Sequence, residues 1–115
     1  MRVISLDQFE FESSSSEESL EIAVASRGKF PFPSVESFIA ARIGVAAARA
    51  LPEPVAFERR LDLGQMVDYL NRFAGIVMPD GCEWPVYRLS TEWDEQNVVV
   101  CAPTKFIHYL WRTSA

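Results

Sequence analysis

The apolar positions of this chain repeat with two different periods. Leu20, Ile22 and Val24 alternate with Glu21, Ala23 and Ala25, and Phe9 and Phe11 alternate with Gln8, Glu10 and Glu12. A period of two predicts strands in both places. The first lies within 1–12 and the second ends at Arg27-Gly28. Ser13-Ser14-Ser15-Ser16-Glu17-Glu18-Ser19 between them reads as a loop, which makes the pair a hairpin. The run 97–114, NVVVCAPTKFIHYLWRTS, is rich in β-branched and aromatic residues and is interrupted once, at Ala102-Pro103-Thr104. It predicts two strands folded on a turn. Centring the turn on Pro103-Thr104 sets Cys101 opposite Phe106 and Val99 opposite His108.

The second period is helical. Ser34 is a suitable N-cap, and Glu36 lies in the first turn, where the helix dipole favours an acid. Val35, Phe38, Ile39, Ile43, Ala46 and Ala50 then form a stripe that predicts a helix over 35–50, stopped by Leu51-Pro52. Ala40, Gly44 and Ala48 make a second row of small residues. A further helix over 63–74 follows from Leu63, Met66, Val67, Leu70 and Phe73, with Asp62 and Gln65 as a capping box and Gly75 as the stop. Gln65, Asp68, Asn71 and Arg72 fall on its outward face. Residues 55–61 are a weak strand candidate. Residues 82–90 predict a strand with Trp84, Val86 and Arg88 on one face, in which Pro85 implies an edge position or a late start. Thr91 to Asn97 reads as an acidic loop. The expected fold is α+β: a mainly antiparallel sheet of about five strands with two helices packed on one face.

At 115 residues and 49 % hydrophobic content, the chain is expected to form one domain with a real core. Cys82 and Cys101 lack the partners and spacing of a zinc site or a disulfide framework. Residues 1–12 have neither the basic nor the apolar region of a signal peptide, and Arg42 and Arg49 cut the longest apolar-rich run. A cytoplasmic protein with free thiols is the expectation.

The net charge of −5 is uneven: residues 1–26 and 79–97 are acidic, while 27–78 and 98–115 each carry a small basic excess. Phosphate binding needs clustered Lys and Arg, so nucleic acid is a poor partner and a basic protein a better one.

Candidate chemistry is sparse. Cys101 and His108 are placed as diagonal neighbours on one face, the minimum for a thiolate nucleophile. The same face carries Val99, Phe106 and Leu110, and no group in sequence is spaced to orient His108, so both residues read as core. Glu92, Asp94 and Glu95 lack the glycine turn of a metal loop. Trp93 among these acids has instead the character of an interface anchor, with Trp84 and Asp80 joining it if the 82–90 strand returns to the same end.

The chain has no phosphate loop, nucleophile elbow, cofactor motif or metal set. The expectation is a non-catalytic acidic protein of the inhibitor, immunity or antitoxin type. It would occlude a basic partner through Asp80, Trp84, Glu92, Trp93, Asp94 and Glu95, with no cofactor or metal. One alternative is a homo-oligomeric subunit, a homodimer joined along helix 35–50 through Ala40, Gly44 and Ala48. The other is a cysteine-dependent hydrolase or transferase built on Cys101 and His108.

Overall fold

A computed structural model describes residues 1–6, 18–28, 30–56, 63–79, 81–90 and 92–113. The elements are β1 (Arg2–Leu6), β2 (Glu18–Ser26), α1 (Val35–Ile43), α2 (Val45–Arg49), β3 (Val55–Ala56), α3 (Gly64–Ala74), β4 (Pro85–Ser90), β5 (Glu95–Cys101) and β6 (Lys105–Thr113). The strands form one antiparallel sheet in the order β1-β2-β6-β5-β4-β3. The fold is α+β as expected, with six strands rather than about five. The Gln8–Glu12 alternation, residues 13–17 of the serine run, Asp62 and most of the expected 55–61 strand lie outside the described residues, and Glu18 and Ser19 belong to β2 rather than to a loop.

The terminal hairpin is the middle of this sheet. Its register is the one the turn residues predict, with Cys101 opposite Phe106 and Val99 opposite His108. The Ala102 amide donates to the Lys105 carbonyl across the turn (2.9 Å). Arg27 braces the turn from β2: its guanidinium donates to the Ala102 carbonyl at 3.0 Å and lies 5.6 Å over the Phe106 ring. Pro85 opens β4, the position a residue without an amide proton tolerates.

The strands at the centre are buried on both faces, and this divides the helices. Leu20, Ile22, Val24, Val98, Val100, Ile107 and Tyr109 pack with Met66, Leu70 and Ala74 of α3. The alternate residues, Ala23, Ala25, Val99, Cys101 and Phe106, pack with Val35, Phe38 and Ile39 of α1. The two helices therefore lie on opposite faces of the sheet instead of sharing one. The physical reason is visible in 98–101, where four consecutive apolar residues present an apolar row to each side. On the α1 side, Phe38 meets Phe32 edge to face and stacks on Phe106, each at 5.5 Å.

The expected helix over 35–50 is broken. Ser34 caps α1 reciprocally with Ser37, each side chain accepting the other's backbone amide at 3.2 Å. At Gly44 the backbone turns to φ 114°, ψ 161°, a conformation side chains with a Cβ rarely adopt, and α2 starts in a new direction. Ala40, Gly44 and Ala48 thus straddle a kink and do not form one straight ridge for a second subunit. Ala48 packs partly against the α1-side core. The α3 boundaries agree with the sequence at its end, where Gly75 is left-handed (φ 67°), its amide bonds Asn71 and the Ile76 amide bonds Leu70. They differ at its start. Leu63 holds the cap position without a side-chain bond, and Gln65 turns inward to donate to the Tyr109 hydroxyl at 3.0 Å.

Phe38 is fully buried and Phe30 is 96 % exposed. Phe38→Ala is expected to lower the unfolding free energy by about 3–5 kcal/mol in urea denaturation. Phe30→Ala is expected to change it by less than about 0.5 kcal/mol.

Candidate functional site

The acidic residues singled out by the sequence form a tight turn between β4 and β5. The Glu95 amide donates to the Glu92 carbonyl at 3.2 Å and closes the turn. The Thr113 amide at the end of β6 donates to the Asp94 carbonyl at 2.9 Å and ties the turn to the sheet. Trp93 sits at its tip and is 73 % exposed. Glu92 is exposed beside it, and Asp94 is half-buried. Glu95 belongs to β5 rather than to a loop. Its carboxylate accepts from Arg112 Nε at 2.7 Å, and the Arg112 and Ser90 hydrogen bonds hold its pKa below the usual carboxylate value. Glu18, which opens β2, pairs in register with Thr113 and brings one more carboxylate to this end of the sheet.

Trp84 does not join this group. It precedes β4, whereas the turn follows it, and the six residues of β4 separate the two ends by about 20 Å. Trp84 is half-buried and packs against the α3-side core. The strand leads away from the Trp84 end, so the two tryptophans are held apart. Asp80 lies outside the described residues.

A second polar constellation sits under α1. His108 is 1 % exposed on β6. Its Nδ1 accepts a hydrogen bond from Arg42 Nε at 3.1 Å, and its Nε2 lies 2.6 Å from Asn97 Oδ1. Arg42 can only donate, so Nδ1 carries no proton and the neutral ring donates through Nε2 to Asn97. Arg42 reaches across from the last turn of α1 and also forms an ion pair with Glu21 of β2. Four elements thus contribute one member each: Glu21, Arg42, His108 and Asn97. Burial is the main cause that lowers the His108 pKa to about 4, and the Arg42 charge adds to it. Glu21 opposes the shift.

No motif in the chain marks Glu21, Arg42 and Asn97 as the groups that orient His108. The available signal was twofold. Arg42 falls on the apolar face with Val35, Phe38 and Ile39, and a buried imidazole requires partners for both nitrogens. Glu21, Asn97 and His108 also share one face by strand alternation.

The arrangement bears directly on the cysteine chemistry. Both His108 nitrogens are engaged by Arg42 and Asn97, which leaves none to take a proton from Cys101. Cys101 is buried, and that burial raises its thiol pKa, favouring the unreactive protonated form. Beside Glu21 a shallow depression of about 150 Å³ is lined by Ser5, Ser19, Leu110 and Arg112 as well as Leu6 and Leu20. That is smaller than the roughly 300–1,000 Å³ of ordinary ligand pockets. Among the described residues, no group of three or more His, Cys, Asp or Glu side chains could hold a metal ion, and no helix is long and apolar enough to cross a membrane.

The His108 environment sets a pH dependence. Unfolding releases the imidazole to its ordinary pKa of 6.5 from about 4. Between these values the unfolded chain binds more protons, so stability is fully present above pH 6.5 and is lost as pH falls toward 4. The loss is expected to reach about 3 kcal/mol. Urea titrations across this window check it, and His108→Gln is expected to flatten the slope. Glu95 adds a separate loss at lower pH, because its folded pKa is depressed.

No protein-family model, curated protein or solved structure matches this chain, so its functional reading rests on the geometry of its own residues.

Proposed function

We propose that the protein is a non-catalytic binding protein that recognises a basic partner protein through the Glu92–Glu95 turn and blocks it by occlusion, in the manner of an inhibitor, immunity protein or antitoxin. The observation that carries this reading is Trp93, a large aromatic 73 % exposed on a turn fixed by two backbone hydrogen bonds. A rigid, exposed tryptophan supplies contact area at little cost in ordering and is a frequent hot spot of interfaces. Its setting suits a cationic surface. Glu92 and Asp94 flank it, Glu18 stands at the same end, and Glu95 is occupied by Arg112. Arg2, Arg27 and Lys105 sit toward the other end of the strands together with Glu36 and Glu83, so among the described residues the tryptophan end is the more acidic. Such a field steers a basic protein to the tryptophan end and raises the association rate.

Occlusion needs no reacting group, which agrees with a buried thiol and a histidine committed to structural hydrogen bonds. The homo-oligomer reading loses its straight ridge at Gly44, although Ile43 and Val45 beside the kink are exposed.

Affinity capture from the native cell tests the reading, with the wild-type chain and Glu92→Ala/Trp93→Ala as parallel baits. Both side chains are exposed, so the double variant is expected to unfold at the wild-type temperature. The wild type is expected to retain a basic protein whose association slows several-fold as salt rises from 0.05 to 0.5 M, estimated from the shrinking screening length. The double variant is expected to lose it. Equal capture by both baits removes the turn as the site.

A further inference from the structure

The segment from the last turn of α1 through α2 is held to the sheet differently from the rest of α1. Val35, Phe38 and Ile39 anchor the first part of α1 through buried apolar contacts. Beyond them, α2 buries no residue completely, and only Ala47, Ala48 and Leu51 pack partly against the core. Gly44 separates the two helices with a non-helical backbone. Arg42 lies just before that kink, and its side chain is only 12 % exposed between Glu21 and His108. The polar tie to the sheet therefore sits where apolar anchoring thins out.

This tie exists in one protonation state only. Arg42 Nε–H points at His108 Nδ1 and needs a lone pair there. A proton on Nδ1 removes the acceptor and sets an imidazolium against a guanidinium in a site with 1 % exposure. The groups facing His108 are Arg42 from α1, Glu21 from β2 through Arg42, and the neutral Asn97 amide from β5. One carboxylate cannot serve two adjacent cations as well as it serves one. Hydration of the imidazolium requires the covering turn to leave.

We propose that Glu21, Arg42, His108 and Asn97 form an acid-sensitive latch, in which proton uptake at His108 Nδ1 releases the end of α1 together with α2 from the sheet while the first part of α1 stays docked. The proton comes from solvent, the Arg42–His108 hydrogen bond breaks, and Arg42 leaves with the helix end. The last turn of α1 unwinds beyond Ile39, Gly44 lets α2 move independently of it, and the sheet face around His108 becomes accessible. The latch is independent of the Trp93 turn and does not rest on the binding function proposed for it.

Native-state hydrogen exchange by NMR tests the latch between pH 7 and pH 4, with rates corrected for their intrinsic pH dependence. The reporters are the amides of Gly44, Ala48 and Ala50, whose bonds lie within the segment and are lost when so short a helix leaves the sheet. The comparison amides are Phe38, bonded to Ser34, and the strand amides of β6. Opening at the reporters is expected to grow as pH falls below 6.5 and to reach about 150-fold by pH 4, the ratio implied by His108 moving between about 4 and 6.5. The comparison amides are expected to stay protected relative to the reporters. His108→Gln is expected to abolish the pH response, and Glu21→Gln to retain it, because the trigger is the imidazole.

Persistence of the response in His108→Gln, or its loss in Glu21→Gln, overturns the latch. Should His108→Gln fail to fold, ring nitrogen shifts of the wild-type His108 decide. A neutral ring protonated at Nε2 at pH 7, titrating together with reporter opening, supports the latch. Titration without opening overturns it.

Discussion

Burial of β6 on both faces is the constraint on which the rest of the structure depends. Ile107 and Tyr109 face α3, while Phe106 and His108 face α1, and all four are at most 2 % exposed. A strand closed in on both sides must find a cover for each, so one helix is committed to either face. The same burial leaves an imidazole without water. Each ring nitrogen then needs a protein partner, because an unmade hydrogen bond at a buried polar atom costs about 1–3 kcal/mol. Asn97 from the neighbouring strand supplies one partner and Arg42 from the covering helix the other. Arg42 brings a charge under the helix, and Glu21 balances it. A packing requirement thus becomes a polar network that joins the helix to three strands.

The molecule separates this inward chemistry from its outward chemistry. The network under α1 uses its donors and acceptors internally. The Glu92–Glu95 turn does the reverse. Its backbone groups are spent on fixing the turn, and the side chains of Glu92 and Trp93 are left to solvent. A tryptophan on a fixed turn has the character of an interface anchor, which makes this end the better candidate for recognition.

Much of the local structure was legible in the chain. Proline in the 102–104 turn and the apolar runs flanking it placed the terminal hairpin and its register. Ser34 and Gly75 marked a helix start and a helix stop. Alternation assigned Trp84, Val86 and Arg88 of the 82–90 segment to one face, and Pro85 implied the late start of β4. The consecutive apolar residues of 98–101 also carried the sign of a strand covered on both faces, although alternation elsewhere suggested a one-sided sheet. The site was legible only in part. Trp93, Glu92, Asp94 and Glu95 are together, yet Glu95 is tied to Arg112, and Trp84 was separated from them by the direction of a strand that composition does not reveal.

Local patterns along the chain placed most of the strands and helices to within a few residues, the central hairpin register and the acidic character of the Trp93 turn. These follow from short-range rules: side-chain period, caps and turn residues act over a few positions. Packing in three dimensions set α1 and α3 on opposite faces, bent at Gly44 the helix expected over 35–50, and brought Glu21, Arg42, Asn97 and His108 together. Those outcomes depend on contacts between residues far apart in the chain, 66 positions in the case of Arg42 and His108. Contacts of that range are set by which surfaces the packed sheet must cover, and no local pattern encodes them.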